Sequence, residues 1–311
     1  MNETQKFPDP YWLLNASVVQ EQDFVIVLAS TDSIQANIET VKQYLNDKNI
    51  VVHSTEIVSN KSAELLIKVT SQQAWTFFKQ LLTKATLKEF DVAVLPVHLR
   101  RKKLLICDMD STIVASETLD DIATHVGIGD QVSQITARAM RGEVDFQQAL
   151  DERVSLLKGL PESIFEEIIE EIELNSGAEI LLRQSKKNNI RTVLVSGGFE
   201  PIVKVIAEKL AFDRYVCNGM QIENGKLTGK VIKPIVDAST KLNVLIEECQ
   251  SLEIKPEEAC SIGDGANDLP MLQAAGLGIG FQSKPILKSS IAYQINSSGL
   301  DFILLMMGIT E

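Results

Sequence analysis

From residue 103 to residue 295, short apolar runs alternate with amphipathic stretches, and three of those runs end in polar, chemically loaded turns. "LLIC" (104–107) runs into Asp108, Asp110 and Thr112. "IRTVLV" (190–195) runs into Ser196-Gly197-Gly198-Phe199. "ACSI" (259–262) runs into "GDGAND", Gly263 to Asp268. Apolar runs without polar alternation are strands covered on both faces. Their regular spacing by helical stretches predicts a parallel sheet with helices on either side. In such a sheet all strand ends of one kind share one edge, so the three turns converge. The stretch 117–174 contains no strand pattern. It holds helical segments punctuated by Gly127, Gly129, Gly142, Gly159 and Pro161. It reads as a helical cap, about 116–175, inserted over that edge of a Rossmann-like α/β unit spanning 99–311.

The first 98 residues read differently. After an irregular start over 1–22 come strands at 23–30, 49–58, 62–69 and 91–97, with helical periodicity at 33–47 and 71–85. The order β-α-β-β-α-β predicts a ferredoxin-like α+β domain, 1–98. The basic run "HLRRKK" (98–103) reads as a solvated linker to the second unit.

Composition narrows the function classes. A net charge of −12 argues against a nucleic-acid surface, which needs basic patches against phosphates. It leaves room for a small phosphorylated ligand met by a few local cations. The start has no basic flank followed by an apolar core, and no stretch reaches the roughly 18 apolar residues of a membrane span. Cys107, Cys217, Cys249 and Cys260 form no metal-ligand spacing and read as reduced thiols of a cytoplasmic protein.

Each loaded turn taken singly has a plain structural reading: a solvated turn, a tight glycine turn, a helix cap. Lys241, early in a helix, reads singly as a surface charge. Together on one edge they have a common chemistry. Asp108 and Asp264 with a backbone carbonyl make an oxygen-rich partial shell for Mg²⁺, which would let neighbouring carboxylates stay ionised. Lys241 adds a second positive charge, and Ser196 with the amides of the glycine turn can donate to phosphate oxygens. Asp108 is then placed to attack phosphorus, and Asp110 to protonate a leaving alkoxide and later to take a proton from water.

"DMDST", "SGG", Lys241 and "GDGANDLPM" together resemble the haloacid dehalogenase superfamily of aspartate-nucleophile phosphatases. From about residue 103 to 300 the chain is similar to the phosphoserine phosphatases within it. The resemblance implies Asp108 as nucleophile and Asp110 as general acid and base. It implies Mg²⁺ held by Asp108, the Asp110 main chain and Asp264. Ser196, Gly197 and Lys241 would bind phosphate, while Asn267 and Asp268 complete the network on the metal side. The matching cap positions are Glu117, Met140, Phe146 and Arg153, with Glu117 and Arg153 implied to hold the ammonium and carboxylate of O-phosphoserine. From its residues alone, Arg153 reads rather as a helix-surface ion pair with Asp151 or Glu152-side neighbours, and Met140 and Phe146 read as cap core. The N-terminal order looks like an ACT-type domain, which implies edge-to-edge pairing into a homodimer. Two alternatives to hydrolysis of O-phosphoserine stay open: transfer of the phosphoryl group to another alcohol such as homoserine, and action on another small phosphomonoester.

Overall fold

A computed structural model describes residues 9, 10, 13, 20–87, 89–141 and 143–310, without the side chains of 86, 87 and 140. Most of the stretch expected to be irregular at the start lies outside the described residues. The first unit follows the expected order. It runs β1 (Gln22–Ser30), α1 (Gln35–Asp47), β2 (Val52–Ser59), β3 (Ser62–Val69), α2 (Ser71–Leu87) and β4 (Phe90–Pro96). The sheet order is β2-β3-β1-β4, antiparallel throughout. This is the ferredoxin-like arrangement. β2 is an edge strand, and Ile57 on it is exposed.

The basic run is not a solvated linker. Arg100 pairs with Glu64 of β3 and donates to the carbonyls of Leu305 and Met306. Lys102 is buried, donating to the Leu99 carbonyl at 2.9 Å and the Glu257 carbonyl at 2.6 Å. Only His98, Arg101 and Lys103 keep the exposure that the composition suggested. The two units are joined elsewhere as well. Asp91 accepts from the amides of Asn296, Ser297 and Ser298 at 2.9, 3.0 and 2.7 Å. The Tyr293 hydroxyl donates to the Val94 carbonyl at 2.9 Å.

The second unit is a seven-stranded sheet ordered β11-β10-β9-β5-β6-β7-β8. Its strands are β5 (Leu104–Cys107), β6 (Arg191–Phe199), β7 (Arg214–Glu223), β8 (Lys226–Ile232), β9 (Ala259–Gly263), β10 (Leu277–Phe281) and β11 (Tyr293–Ile295). All pairs are parallel except β7 with β8. That hairpin turns at Asn224-Gly225, both with positive φ, as the sequence signal requires. β5 is buried along its whole length because both faces of the sheet are covered. Leu104 and Ile106 pack with Val244, Leu245 and Met271 on one face. Leu105 and Cys107 join the larger core on the other. After β5 the chain moves out to β6, β7 and β8, then returns to β9 on the opposite side of β5. The order therefore reverses beside β5, and a crevice opens at the carboxyl ends of β5 and β9.

The cap lies between β5 and β6 and is helical, as expected. It holds α3 (Thr118–His125), α4 (Gly129–Met140), α5 (Phe146–Ser155) and α6 (Ile164–Glu171). Its two connections to the sheet meet in a bridge between Val114 and Leu174. Asn175 ties them further, its side-chain amide donating to the carbonyls of Thr112 and Val114 at 2.8 and 3.1 Å. The other helices flank the sheet: α7 (Ala178–Lys187), α8 (Glu200–Lys209), α9 (Ala238–Ser251), α10 (Leu269–Ala274), α11 (Pro285–Lys288) and α12 (Phe302–Met306).

Candidate active site

β5 ends at Cys107, and the chain makes one wide turn over Met109–Ile113 with Ser111 at φ +55°. Met109 is buried among core residues, while Asp108 and Asp110 on either side of it line a common cavity. The Asp108 carboxylate also accepts from the Met109 amide at 2.8 Å, which fixes its direction.

Lys241, on the first turn of α9, answers the buried negative charge. Its ammonium lies 2.6 Å from Asp108 Oδ1 and 2.7 Å from Asp268 Oδ1, with its side chain 0% exposed. Burial works against this charge, but Asp108 and Asp268 outweigh it and raise the lysine pKa. The far oxygen of Asp268 accepts from the amides of Asp264 and Gly265 at 3.2 and 3.0 Å. Asp268 thus braces the turn that carries Asp264. A Cβ on Gly263 would come within 2.3 Å of Asp268 Cγ, so only glycine lets that brace close.

Among the described residues, Asp108, Asp264 and Asp268 bring carboxylate oxygens within 4.8 Å of one another, all buried. One buried lysine does not balance three buried carboxylates. Burial pushes Asp108 well above the usual carboxylate range, and the Asp268 charge pushes the same way against the pull of Lys241. Asp264 is also raised by burial, although Lys284 opposes it. Asp108 and Asp264 open to the cavity, and oxygen donors there with an excess of negative charge around them fit a hard divalent cation. The side chain of Asp110 is engaged elsewhere. Its Oδ1 accepts from the Thr118 amide at 2.9 Å and the Thr118 hydroxyl at 2.7 Å; its Oδ2 accepts from Ser196 at 2.9 Å. Burial raises the Asp110 pKa, while the bonds from Thr118 and Ser196 hold it back.

Ser196 departs from the expected geometry. It is fully buried, and its hydroxyl donates to Asp110 while accepting from the Gly198 amide at 2.8 Å. Gly197 and Gly198 line the cavity beside it. A Cβ at Gly198 would meet Ser196 Oγ at 3.0 Å and Asp110 Oδ2 at 3.1 Å, so the glycine permits the close approach.

The cavity, of about 110 Å³, is lined on the cap side by Glu117, Thr118, Phe146 and Arg153, and on the core side by Asp264, Asn267 and Lys284. That is well below the roughly 300–1,000 Å³ of drug-sized sites, so it suits a small substrate. Arg153, on α5, is held by a bond from its Nε to the Ala149 carbonyl. It does not make the surface ion pair that its neighbours suggested: Asp151 pairs with Lys233, and Glu152 with Arg138. Glu117 accepts from Ser111 at 3.0 Å and Lys284 at 2.9 Å. Burial raises the Glu117 pKa, but Lys284 and Ser111 outweigh it and leave it lowered. Phe146 is exposed and lines the cavity, so it is not cap core. The side chain of Met140 lies outside the described residues.

Two site residues escape the sequence reading. Thr118 gives no signal beyond opening a helix. Lys284 does give one. It follows β10 on the same sheet edge, where the rule that found Asp264 applies equally.

A sheet that reverses its order beside β5, with an aspartate pair at the end of that strand and a buried lysine against the first of the two, defines an aspartate-centred hydrolase fold. A family model for haloacid dehalogenase-like hydrolases matches residues 105–273, and the chain belongs to that class. Within the class it belongs to the phosphoserine phosphatase family. It is 40% identical over 241 residues to the phosphoserine phosphatase of Archaeoglobus fulgidus, covering 77% of this chain and 70% of that protein. A crystal structure of a HAD family hydrolase from Salmonella enterica serovar Typhi superposes with a TM-score of 0.83 at 28% identity, covering 92% of this chain and 98% of that one. A phospho-aspartyl intermediate analogue of phosphoserine phosphatase superposes at 0.62 with 40% identity, covering 66% and 98%.

Proposed function

We propose that this protein hydrolyses O-phosphoserine to serine and phosphate, the last step of serine synthesis. One observation carries the reading. The cavity that holds Asp108 and Asp110 is also lined by a carboxylate, Glu117, and a guanidinium, Arg153. A phosphomonoester bearing both an ammonium and a carboxylate matches those charges.

Asp108 attacks phosphorus, and the bond from phosphorus to the serine oxygen breaks as Asp110 delivers a proton to that oxygen. Asp110 then takes a proton from water, which attacks the aspartyl phosphate and releases phosphate with Asp108 restored. Lys241 keeps Asp108 oriented and neutralises charge beside it. Gly197 and Gly198 line the phosphate end of the cavity, where the Gly197 amide is the one left to donate because the Gly198 amide is bonded to Ser196, and Asn267 borders it. Asp108, the Asp110 main chain and Asp264 would hold Mg²⁺, which when bound supplies the charge that lets a carboxylate meet a phosphate dianion.

The test is phosphate release from O-phosphoserine with Mg²⁺ and with chelator, in the wild type and in Asp108→Asn. Turnover should need the metal and vanish in the variant while the protein stays folded. Retained activity in Asp108→Asn rules out the covalent route.

We assign residues 99–311 to catalysis and residues 1–98 to an ACT-like regulatory or dimerisation role. The edge of β2, unpaired among the described residues, supports pairing with a second copy, and light scattering of wild type against Ile57→Lys tests it. Four free cysteines suit a reducing compartment, and we place the protein in the cytoplasm on that ground. No helix among the described residues is long and apolar enough to cross a membrane.

A further inference from the structure

Two lysines face the carboxylates of the site, and they are built differently. Lys241 is fully buried between Asp108 and Asp268 and has no water to retreat to. Lys284 stands just before α11, tied by its amide to the Asp264 carbonyl at 2.9 Å. Its side chain is 47% exposed, yet its ammonium lies 2.9 Å from Glu117 Oε1 and 3.0 Å from Asp264 Oδ2. A single surface-reaching cation thus joins the carboxylate at the root of the cap to the carboxylate at the sheet edge. On the reading given under Proposed function, on which this inference rests, each of those carboxylates receives its own incoming cation. Asp264 receives the divalent metal and Glu117 the substrate ammonium.

We propose that Lys284 is an exchangeable counter-ion, holding Glu117 and Asp264 together before ligands arrive and surrendering both carboxylates to them. A lysine ammonium on a flexible, half-solvated stem can give up its carboxylates when another cation arrives, because water takes over the lysine's charge while the incoming cation takes over that of the buried Asp264. A metal ion on Asp264 and an ammonium 3.0 Å from the same carboxylate repel each other, so Lys284 competes with the metal. It competes with the substrate ammonium at Glu117 in the same way. Since one side chain serves both carboxylates, its departure for the first cation frees the second carboxylate, and the two binding events assist one another. Lys284 also shapes selectivity. A phosphomonoester without an ammonium leaves Glu117 paired with Lys284. Without Lys284 that substrate meets a bare carboxylate and is repelled.

The test is calorimetric titration of the full-length, substrate-free protein with magnesium chloride, comparing wild type, Lys284→Met, Lys284→Gln and Lys284→Arg. The Met and Gln variants should bind Mg²⁺ about two- to five-fold more tightly, and the Arg variant, which keeps the cation, should stay near wild type. In the same two variants the ratio of kcat/KM for O-phosphoserine to that for phosphoglycolate, which has no ammonium, should rise. Unchanged or weaker Mg²⁺ binding in whichever of the Met and Gln variants keeps the wild-type melting temperature overturns the proposal. So does an absence of Mg²⁺ binding by the wild type. A wild type that binds Mg²⁺ but does not turn over O-phosphoserine would sink the proposed function instead, and the magnesium titration would still decide whether Lys284 competes for Asp264.

Discussion

Thr118 and Asp110 meet across the junction of cap and core: the Thr118 hydroxyl donates to Asp110 Oδ1 at 2.7 Å, and the Thr118 amide to the same oxygen at 2.9 Å. Asp110 belongs to the turn after β5, while Thr118 is the first residue of α3 in the cap. The posture of the proposed acid is therefore set by the element that covers the substrate. Ser196 holds the other oxygen from the opposite side, so the carboxylate has few orientations left.

Thr118→Val keeps the amide and removes the hydroxyl. Loss of one bond to a carboxylate should lower kcat on O-phosphoserine about ten-fold, ~1.4 kcal/mol. The alkoxide of serine needs a proton to leave, whereas a nitrophenolate does not. Turnover of p-nitrophenyl phosphate should therefore fall much less. Steady-state kinetics on both substrates checks this. Equal losses would mean that Thr118 only supports the fold.

Arg153 offers a complementary test of the substrate. Burial lowers its pKa, while the nearby charges of Asp120 and Glu117 favour its cationic form, and its Nε bonds the Ala149 carbonyl, so a guanidinium is kept at the cavity wall. Arg153→Ala should cost O-phosphoserine about 2–4 kcal/mol in kcat/KM, roughly 30- to 1000-fold, because a carboxylate anchor is lost. An aryl phosphate without a carboxylate should be nearly indifferent. If both substrates suffer alike, Arg153 positions the cap rather than the substrate.

These cases show which parts of the site were legible in the sequence. Asp108, Asp110 and Asp264 stand immediately after strands, and the parallel sheet carries every such strand end to one edge. Local pattern was therefore enough to bring them together. Lys284 obeys the same rule, but a lysine opening a short helix reads singly as a surface charge, and nothing near it in the chain points to Glu117. Thr118 was out of reach, since its contact depends on how the turn at 109–113 folds back on itself. The joint between the two units was also hidden. Asp91 binds amides more than 200 residues away in sequence, and nothing near it in the chain announces them. The basic run was misread for a related reason. Composition gives the charge of Arg100 and Lys102 but not the carbonyls that wait for them.

Lys102 makes that misreading measurable. Burial lowers its pKa from 10.5 to about 8, although Cys260, Glu257 and Glu258 pull the other way. Below about pH 8 the folded and unfolded chains both carry the proton, and the folded chain bears the full cost of a buried charge. Between about pH 8 and 10.5 the unfolded chain still binds the proton and the folded chain does not. The contribution of Lys102 to stability therefore rises with pH across that window. Lys102→Met abolishes the titration. The stability of the variant relative to wild type should be highest below pH 8 and should fall by up to about 3 kcal/mol by pH 10.5. Loss of the Lys102 bonds to the Leu99 and Glu257 carbonyls shifts the variant by a constant amount and leaves the slope intact. Urea unfolding of both proteins at several pH values across the window gives that slope directly. A difference that stays flat would mean that Lys102 keeps its ordinary pKa and that its burial costs the fold nothing.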